Sequence, residues 1–232
     1  MNYPQLPGRL AEVRERIAGA QERSGRMGEP VTIVAVTKTH PAAAAREALA
    51  AGISDLAENR VQDLEAKVGE LAGAPATWHL IGHLQRNKVR RALPLFDLLH
   101  ALDSVRLAES LSDAAARDGA AVQALVQVNT SGEQAKGGFS PDETVEAIGQ
   151  MAELPAIQLQ GLMTMAPFVD DERILRATFA GARRLFDEVA RQVPSFLPVH
   201  LSMGMSSDYE IAVEEGSTLV RLGTVLFGAR EL

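Results

Sequence analysis

Val31-Thr32-Ile33-Val34-Ala35-Val36-Thr37-Lys38 is an apolar, β-branched run that ends on a threonine and a lysine. Its unbroken apolarity is that of a strand covered on both faces, the pattern of parallel sheets flanked by helices. Pro41 follows and opens the alanine-rich stretch 42–51, since its fixed φ suits a first helical turn. Strand, short turn and helix together make a βα unit.

Working outward, the same unit recurs. Strands are expected at 31–36, 54–57, 77–81, 98–102, 122–128, 157–162, 199–202 and 219–222. Helices are expected at 41–51, 60–71, 85–93, 104–117, 140–153, 171–193 and 208–215. An amphipathic stretch at 8–24, with Leu10, Val13 and Ile17 on one stripe, precedes them. Eight βα-type units in 232 residues, with no Gly/Ser-rich linker, predict one domain over 1–232. The expected fold is α/β, a (β/α)8 TIM barrel with an extra N-terminal helix. An open, doubly wound sheet competes, and the unit count and N-terminal helix favour the barrel.

Composition narrows the function. Hydrophobic residues at 46% and charged residues at 23% are those of a soluble globular chain, and aromatics at 4% leave an aliphatic core. Zero cysteines exclude disulfides, thiolate catalysis and thiolate metal sites. A net charge of −7 argues against general polyanion binding, so no nucleic-acid partner is expected. No apolar stretch is long enough for a bilayer, and residues 1–7 have no signal-peptide pattern, so a cytoplasmic location is expected.

In such barrels chemistry belongs where strands end and βα loops begin. Lys38 stands at the first such end. Partial desolvation there is expected to lower its pKa and favour an amine that condenses with an aldehyde. The alternative is a rim lysine with its stem on the barrel and its head in water. Glu58-Asn59, His79 with His83, His100 with Asp103-Ser104, and the loop 129–138 containing Lys136 are the polar groups at later ends. Singly each has a structural account: helix caps for Asn59 and Ser104, satisfied core histidines for His79 and His100. Together they form a polar wall around one mouth. The last two ends carry Ser202-Met203-Gly204-Met205-Ser206-Ser207-Asp208 and Arg221-Leu222-Gly223-Thr224. Hydroxyls, glycines and helix-opening N–H groups at strands seven and eight suit a phosphate. A phosphate pocket facing an amine points to pyridoxal 5′-phosphate (PLP).

Taken in order, several segments resemble the pyridoxal phosphate homeostasis proteins, a family similar to the barrel domain of alanine racemase. They are Ala35-Val36-Thr37-Lys38, Glu58-Asn59, His79-Leu80-Ile81-Gly82-His83-Leu84-Gln85-Arg86-Asn87-Lys88, Gly161-Leu162-Met163, Ser202-Met203-Gly204-Met205-Ser206 and Arg221-Leu222-Gly223. The resemblance implies a barrel of the alanine-racemase N-terminal-domain type that holds PLP as a Schiff base on Lys38. It implies Ser206, Gly223 and Thr224 around the phosphate, Arg221 near the pyridine nitrogen, and Asn59, His79 and Met205 among the cofactor-binding residues. Leu56-Ala57, Arg60 and Ala101 depart from the family pattern and bear on rim contacts.

Racemisation through PLP needs an acid/base on each face of the substrate carbanion. The tyrosine that supplies one face in alanine racemases comes from a second domain, and the tyrosines here are Tyr3 and Tyr209. Arg221 at the ring nitrogen would weaken the electron sink. The expectation is therefore a non-catalytic, monomeric PLP holder that buffers the cofactor or delivers it to PLP-dependent apoenzymes, with no metal. Two rivals stand beside it. One is a slow PLP-dependent racemase with His79 or His100 as second base; the other is a nucleic-acid or protein-binding module using Arg86, Lys88, Arg90 and Arg91.

Overall fold

The computed structural model describes residues 3–133 and 137–228. Lys136 lies outside the described residues. Helix α1 (Leu6–Ser24) leads into eight parallel strands: β1 (Thr32–Val36), β2 (Asp55–Glu58), β3 (Thr77–Leu80), β4 (Leu98–Leu102), β5 (Val122–Gln127), β6 (Ile157–Met163), β7 (His200–Ser202) and β8 (Leu219–Leu222). They pair in chain order and close, β1 on β8, into the expected barrel. Helices α2 (Ala42–Ala50), α3 (Val61–Glu70), α4 (Val89–Ala92), α5 (Val105–Arg117), α6 (Pro141–Ala152), α7 (Glu172–Gln192), α8 (Tyr209–Glu214) and α9 (Thr224–Phe227) alternate with the strands.

The two-residue period of each strand divides the core into two layers. Val34, Val36, Ala57, Leu98, Leu125, Met163 and Leu219 form one buried cluster inside the barrel. Ala35, Leu56, Leu80, Leu99, Val126, Leu162 and Val220 join the helices' apolar faces in the outer cluster. Register keeps the mouth compact, with Val34 opposite Arg221 and Ala35 opposite Leu222. Gly161 in β6 sits where a Cβ would fall 1.8 Å from the carbonyl oxygen of His200, so only glycine lets β6 and β7 approach this closely.

The strand expectations hold within a residue or two at each end. The helix expected over 85–93 does not form as one piece. It is a 3₁₀ turn (Arg86–Lys88), the single turn α4 and a second 3₁₀ turn (Leu93–Leu95). Pro94 lacks an N–H and cannot continue an α-helical ladder, which shortens the element. The basic residues there therefore do not make one long helical face, and the Arg91 guanidinium is already paired with Glu65 of α3. The four-residue α9 follows Gly223 and was not foreseen.

A buried ion pair ties the barrel to its helix layer. Lys67 of α3 is buried and salt-bridged to Glu58, the fully buried last residue of β2. Lys67 Nζ also donates to the Thr37 carbonyl oxygen at 2.7 Å, and Thr37 Oγ1 donates to Glu58 Oε1 at 2.5 Å. The three groups hold the chain just past β1, immediately before Lys38. Truncating one partner leaves the other charge buried and unpaired, so Lys67→Met should destabilise the protein by about 3–5 kcal/mol in chemical denaturation. Combining it with Glu58→Gln should recover much of that loss.

Candidate functional site

Past β1 the chain turns sharply. Thr39 has φ +69°, the one non-glycine residue in the left-handed region among the described residues. Such strain persists where neighbours over-determine it, and here the Thr37 clamp lies on one side and α2 on the other. Lys38 is exposed. The expected partial desolvation is thus not found; burial stops at Thr37, whose side chain turns into the Glu58–Lys67 pair, while Lys38 turns to solvent. Lys38 lines an open cavity of about 640 Å³ with His40, Asn59, Arg60 and Lys67. Tyr3 reaches this wall too, its hydroxyl 3.0 Å from His40 Nδ1. Asn59 is exposed, and its backbone is the reason for Gly82, whose Cβ would lie 2.1 Å from the Asn59 carbonyl oxygen.

The phosphate segment lies beside this strand end because β8 closes on β1. A Cβ on Gly223 would come within 3.3 Å of the Val36 carbonyl oxygen. The backbone N–H groups of Gly223 and Val225 both point at Ser206 Oγ, each at 3.3 Å. Two amides converging on one hydroxyl oxygen are the type of donor set that an incoming anion can share. Thr224, exposed, opens α9 at the same point. Gly204 turns the preceding loop with φ +92°, and a Cβ there would meet Ala212 Cβ at 2.6 Å. Met205 is half-buried, its N–H donating to Asp208 Oδ1 at 2.6 Å.

Arg221 points into the barrel and is 4% exposed. Nη1 donates to the Ser202 carbonyl oxygen (2.9 Å) and Ser202 Oγ (2.7 Å), and Nη2 to the Thr164 carbonyl oxygen (3.0 Å). Burial pulls its pKa down to about 10, against the opposing charge of Asp208. It therefore remains a cation at neutral pH, held rigidly with its fork among carbonyls.

His79 does not stand on the rim. It is 2% exposed, with Nδ1 2.8 Å from His100 Nε2 and Nε2 3.1 Å from Asp55 Oδ1. His100 Nδ1 lies 3.0 Å from Ser202 Oγ. Both histidines are thus committed at both ring nitrogens. Burial, reinforced by the Arg221 cation, pushes the His100 pKa far below its ordinary value. Burial raises the Asp55 carboxyl, but hydrogen bonds from His79 and Ser54 outweigh it and hold the pKa below the usual value. Lys67 and Asp55 were not among the sequence candidates; Ser202 was, in the segment expected to take a phosphate, and its hydroxyl turns instead to Arg221 and His100. Lys67 shares a helical stripe with Val61, Leu64 and Leu71, and that spacing marks it as an inward-facing lysine.

The residues suit PLP. A donor-lined seat at Ser206, Gly223 and Val225, a buried guanidinium and a solvent-accessible lysine stand at the ends of β7, β8 and β1. Among the described residues no cluster of His, Cys, Asp or Glu could hold a metal ion. No described helix is long and apolar enough to cross a membrane.

The model of the alanine racemase N-terminal domain matches residues 9–231. A pyridoxal phosphate homeostasis protein of Aquifex aeolicus is 40% identical over 223 residues, covering 96% of this chain and 97% of its own. The structure of PipY of Synechococcus elongatus PCC7942, with PLP bound, superposes with a TM-score of 0.85 at 40% identity, covering 97% of this chain and all of that one. An alanine racemase of Clostridium difficile 630 shares the fold alone, with a TM-score of 0.76 at 17% identity over 58% of its length.

His100 gives a pH test of the site's interior. Its folded pKa is depressed from 6.5, so the unfolded chain binds a proton the folded one refuses once pH falls below 6.5. Stability should be flat above that value and fall below it by up to about 1.4 kcal/mol per pH unit for one such group. Denaturation between neutral and mildly acid pH should show the slope, and His100→Gln should reduce it.

Proposed function

Because the chain belongs to the alanine racemase N-terminal-domain family and, within it, to the pyridoxal phosphate homeostasis proteins, we propose that it binds PLP without catalysing a reaction and buffers or delivers it. Lys38, Asn59, His79, Met205, Ser206, Arg221, Gly223 and Thr224 are the assigned set. Ser206 and the amides of Gly223 and Val225 take the phosphate, and Arg221 faces the ring nitrogen. His79 acts from behind Arg221 and not on the cofactor directly, since both of its nitrogens are used within the barrel. When bound, PLP supplies an aldehyde that condenses with the Lys38 amine to a Schiff base. Exposure of Lys38 suits a carrier, because water and incoming amines reach the same atom that holds the cofactor.

The observation that carries the non-catalytic reading is the engagement of both candidate second bases. His79 and His100 have no ring nitrogen left for a substrate proton among the described residues. The Tyr3 hydroxyl is engaged by His40, and Tyr209 is buried under α1. A cation at the ring nitrogen disfavours its protonation and so weakens the electron withdrawal on which racemisation depends. The same reading places the protein in the cytoplasm as a monomer, handing PLP to apoenzymes.

Borohydride reduction followed by peptide mass mapping tests the cofactor assignment. The label should fall on Lys38 and disappear in Lys38→Ala, whereas full labelling of another lysine would remove Lys38 from the role. Incubating the holoprotein with L-amino acids in D₂O should give no Cα exchange above the Lys38→Ala control. The phosphate seat is tested by affinity: each charge-assisted hydrogen bond contributes about 1.5–3 kcal/mol, so pyridoxal should bind at least tenfold more weakly than PLP. Ser206→Ala should cost PLP about tenfold by the same measure.

A further inference from the structure

The barrel interior contains a continuous hydrogen-bonded line of side chains, of which the PLP reading uses only Arg221 and His79. It begins at Arg221 on β8, passes to Ser202 on β7, crosses to His100 on β4, steps to His79 on β3 and ends at Asp55 on β2. β4 and β7 are not neighbours in the sheet, so the Ser202–His100 bond spans the lumen. Asp55 opens β2 at the strands' N-terminal side and lines a cavity of about 230 Å³ there with Arg14, Ile17 and Ser54. Arg221 stands toward the other end, under the phosphate segment. The line thus links the two ends of the barrel.

With both imidazoles neutral, its proton arrangement follows from the two ends. A guanidinium can only donate, so Ser202 Oγ accepts from Arg221. A carboxylate can only accept, so His79 donates from Nε2 to Asp55. Neutral His79 then accepts at Nδ1, and His100 donates from Nε2. Neutral His100 accepts at Nδ1, and the Ser202 hydroxyl proton goes to it. All four bonds run the same way, from the cation to the anion. Bonds aligned in this fashion polarise one another in a low-dielectric interior. Arg221 is otherwise bonded to two backbone carbonyls, and this line links it by side chains to a carboxylate other than the nearby Asp208.

We infer that Ser202, His100, His79 and Asp55 are positioning residues for Arg221, one polarised chain that fixes the guanidinium under the cofactor ring and gives it Asp55 as a remote counter-charge. The role toward the ring rests on the PLP reading above; the chain and its tautomers do not. The titratable groups facing it are few. His200 on β7 faces His79 and Asp55, and Arg221 and His200 act on His100. Asp208 acts on Arg221. Adding a proton at the Asp55–His79 end removes the acceptor on which the direction of the whole line depends, so Arg221 senses it across the barrel.

Nitrogen NMR on the ligand-free protein separates this inference from the PLP reading. Long-range ¹H–¹⁵N spectra at neutral pH should show His79 and His100 neutral, each protonated at Nε2. A protonated ring, or the Nδ1–H form of either, overturns the chain in the unmodified protein. Asp55→Asn keeps an acceptor oxygen but removes the charge, and should shift the Arg221 Nη resonances. In a Ser202→Ala background, which cuts the line beside Arg221, the same Asp55→Asn change should leave Arg221 unmoved, and Ser202→Thr should restore the coupling. Equal Arg221 shifts in both backgrounds, or none in either, overturn the positioning role. With PLP added, Asp55→Asn should move the pH profile of the bound cofactor's absorption and weaken binding roughly 2- to 10-fold, the span of one neutral hydrogen bond. Absence of any PLP binding would sink the proposed function and leave the ligand-free result standing.

Discussion

A parallel strand with an unpaired edge inside an apolar layer would strand its backbone N–H and C=O groups, so β1 has to find β8 once helices cover both. That closure brings Val34 opposite Arg221 and Ala35 opposite Leu222. It also lays Gly223 against the Val36 carbonyl oxygen. The first and last strands of the chain thereby place a lysine, a guanidinium and an amide-lined seat at one mouth. Arg221 and the Gly223 and Val225 amides are neighbours in sequence, but Lys38 and Ser206 are far from them, and only the closed ring brings these to the same mouth.

Closure also creates a small lumen, and the chain fills part of it with polar groups instead of aliphatic ones. Burying Arg221, His79 and His100 is costly unless every donor and acceptor is met. The cost is offset by linking them in one hydrogen-bonded line between Arg221 and Asp55. A second buried polar set, Glu58 with Lys67 and Thr37, lies in the other layer, between barrel and helix. The two sets divide the labour: one holds the backbone from which Lys38 projects, the other holds Arg221. An exposed lysine just past a strand end fits the proposed role of taking up an aldehyde and giving it back.

How much of this was legible in the sequence depended on the range of the interaction. The run 31–36 and its seven counterparts carry their burial pattern locally, so the barrel and its strand limits followed from periodicity. The break at 86–95 did not, because basic and apolar residues there mimic a helical period until Pro94 ends it. Lys38 was placed correctly at a strand end, and of its two readings the solvated rim lysine is the one found, since desolvation depends on where Thr37 turns. The ordered motif pointed to Arg221, Ser206 and Gly223, and the fold brings them together. His79 was read as a cofactor contact, whereas its bonds go to His100 and Asp55. That pairing, and the Ser202–His100 bond across 102 residues, arise only when non-adjacent strands face one another across the lumen.

The departures from a racemase follow from the same geometry. An acid/base on the far face of a substrate would have to come from a group that can give and take a proton at the mouth. Here the two interior histidines nearest that task are enclosed between a hydroxyl and a carboxylate, and burial keeps His100 neutral. Freeing His100 would break its bonds to Ser202 and His79, and with them the line proposed to position Arg221. On the proposed assignment of Arg221 to the cofactor ring, steadying that end and supplying a second base would compete for the same nitrogens, which are bonded within the barrel.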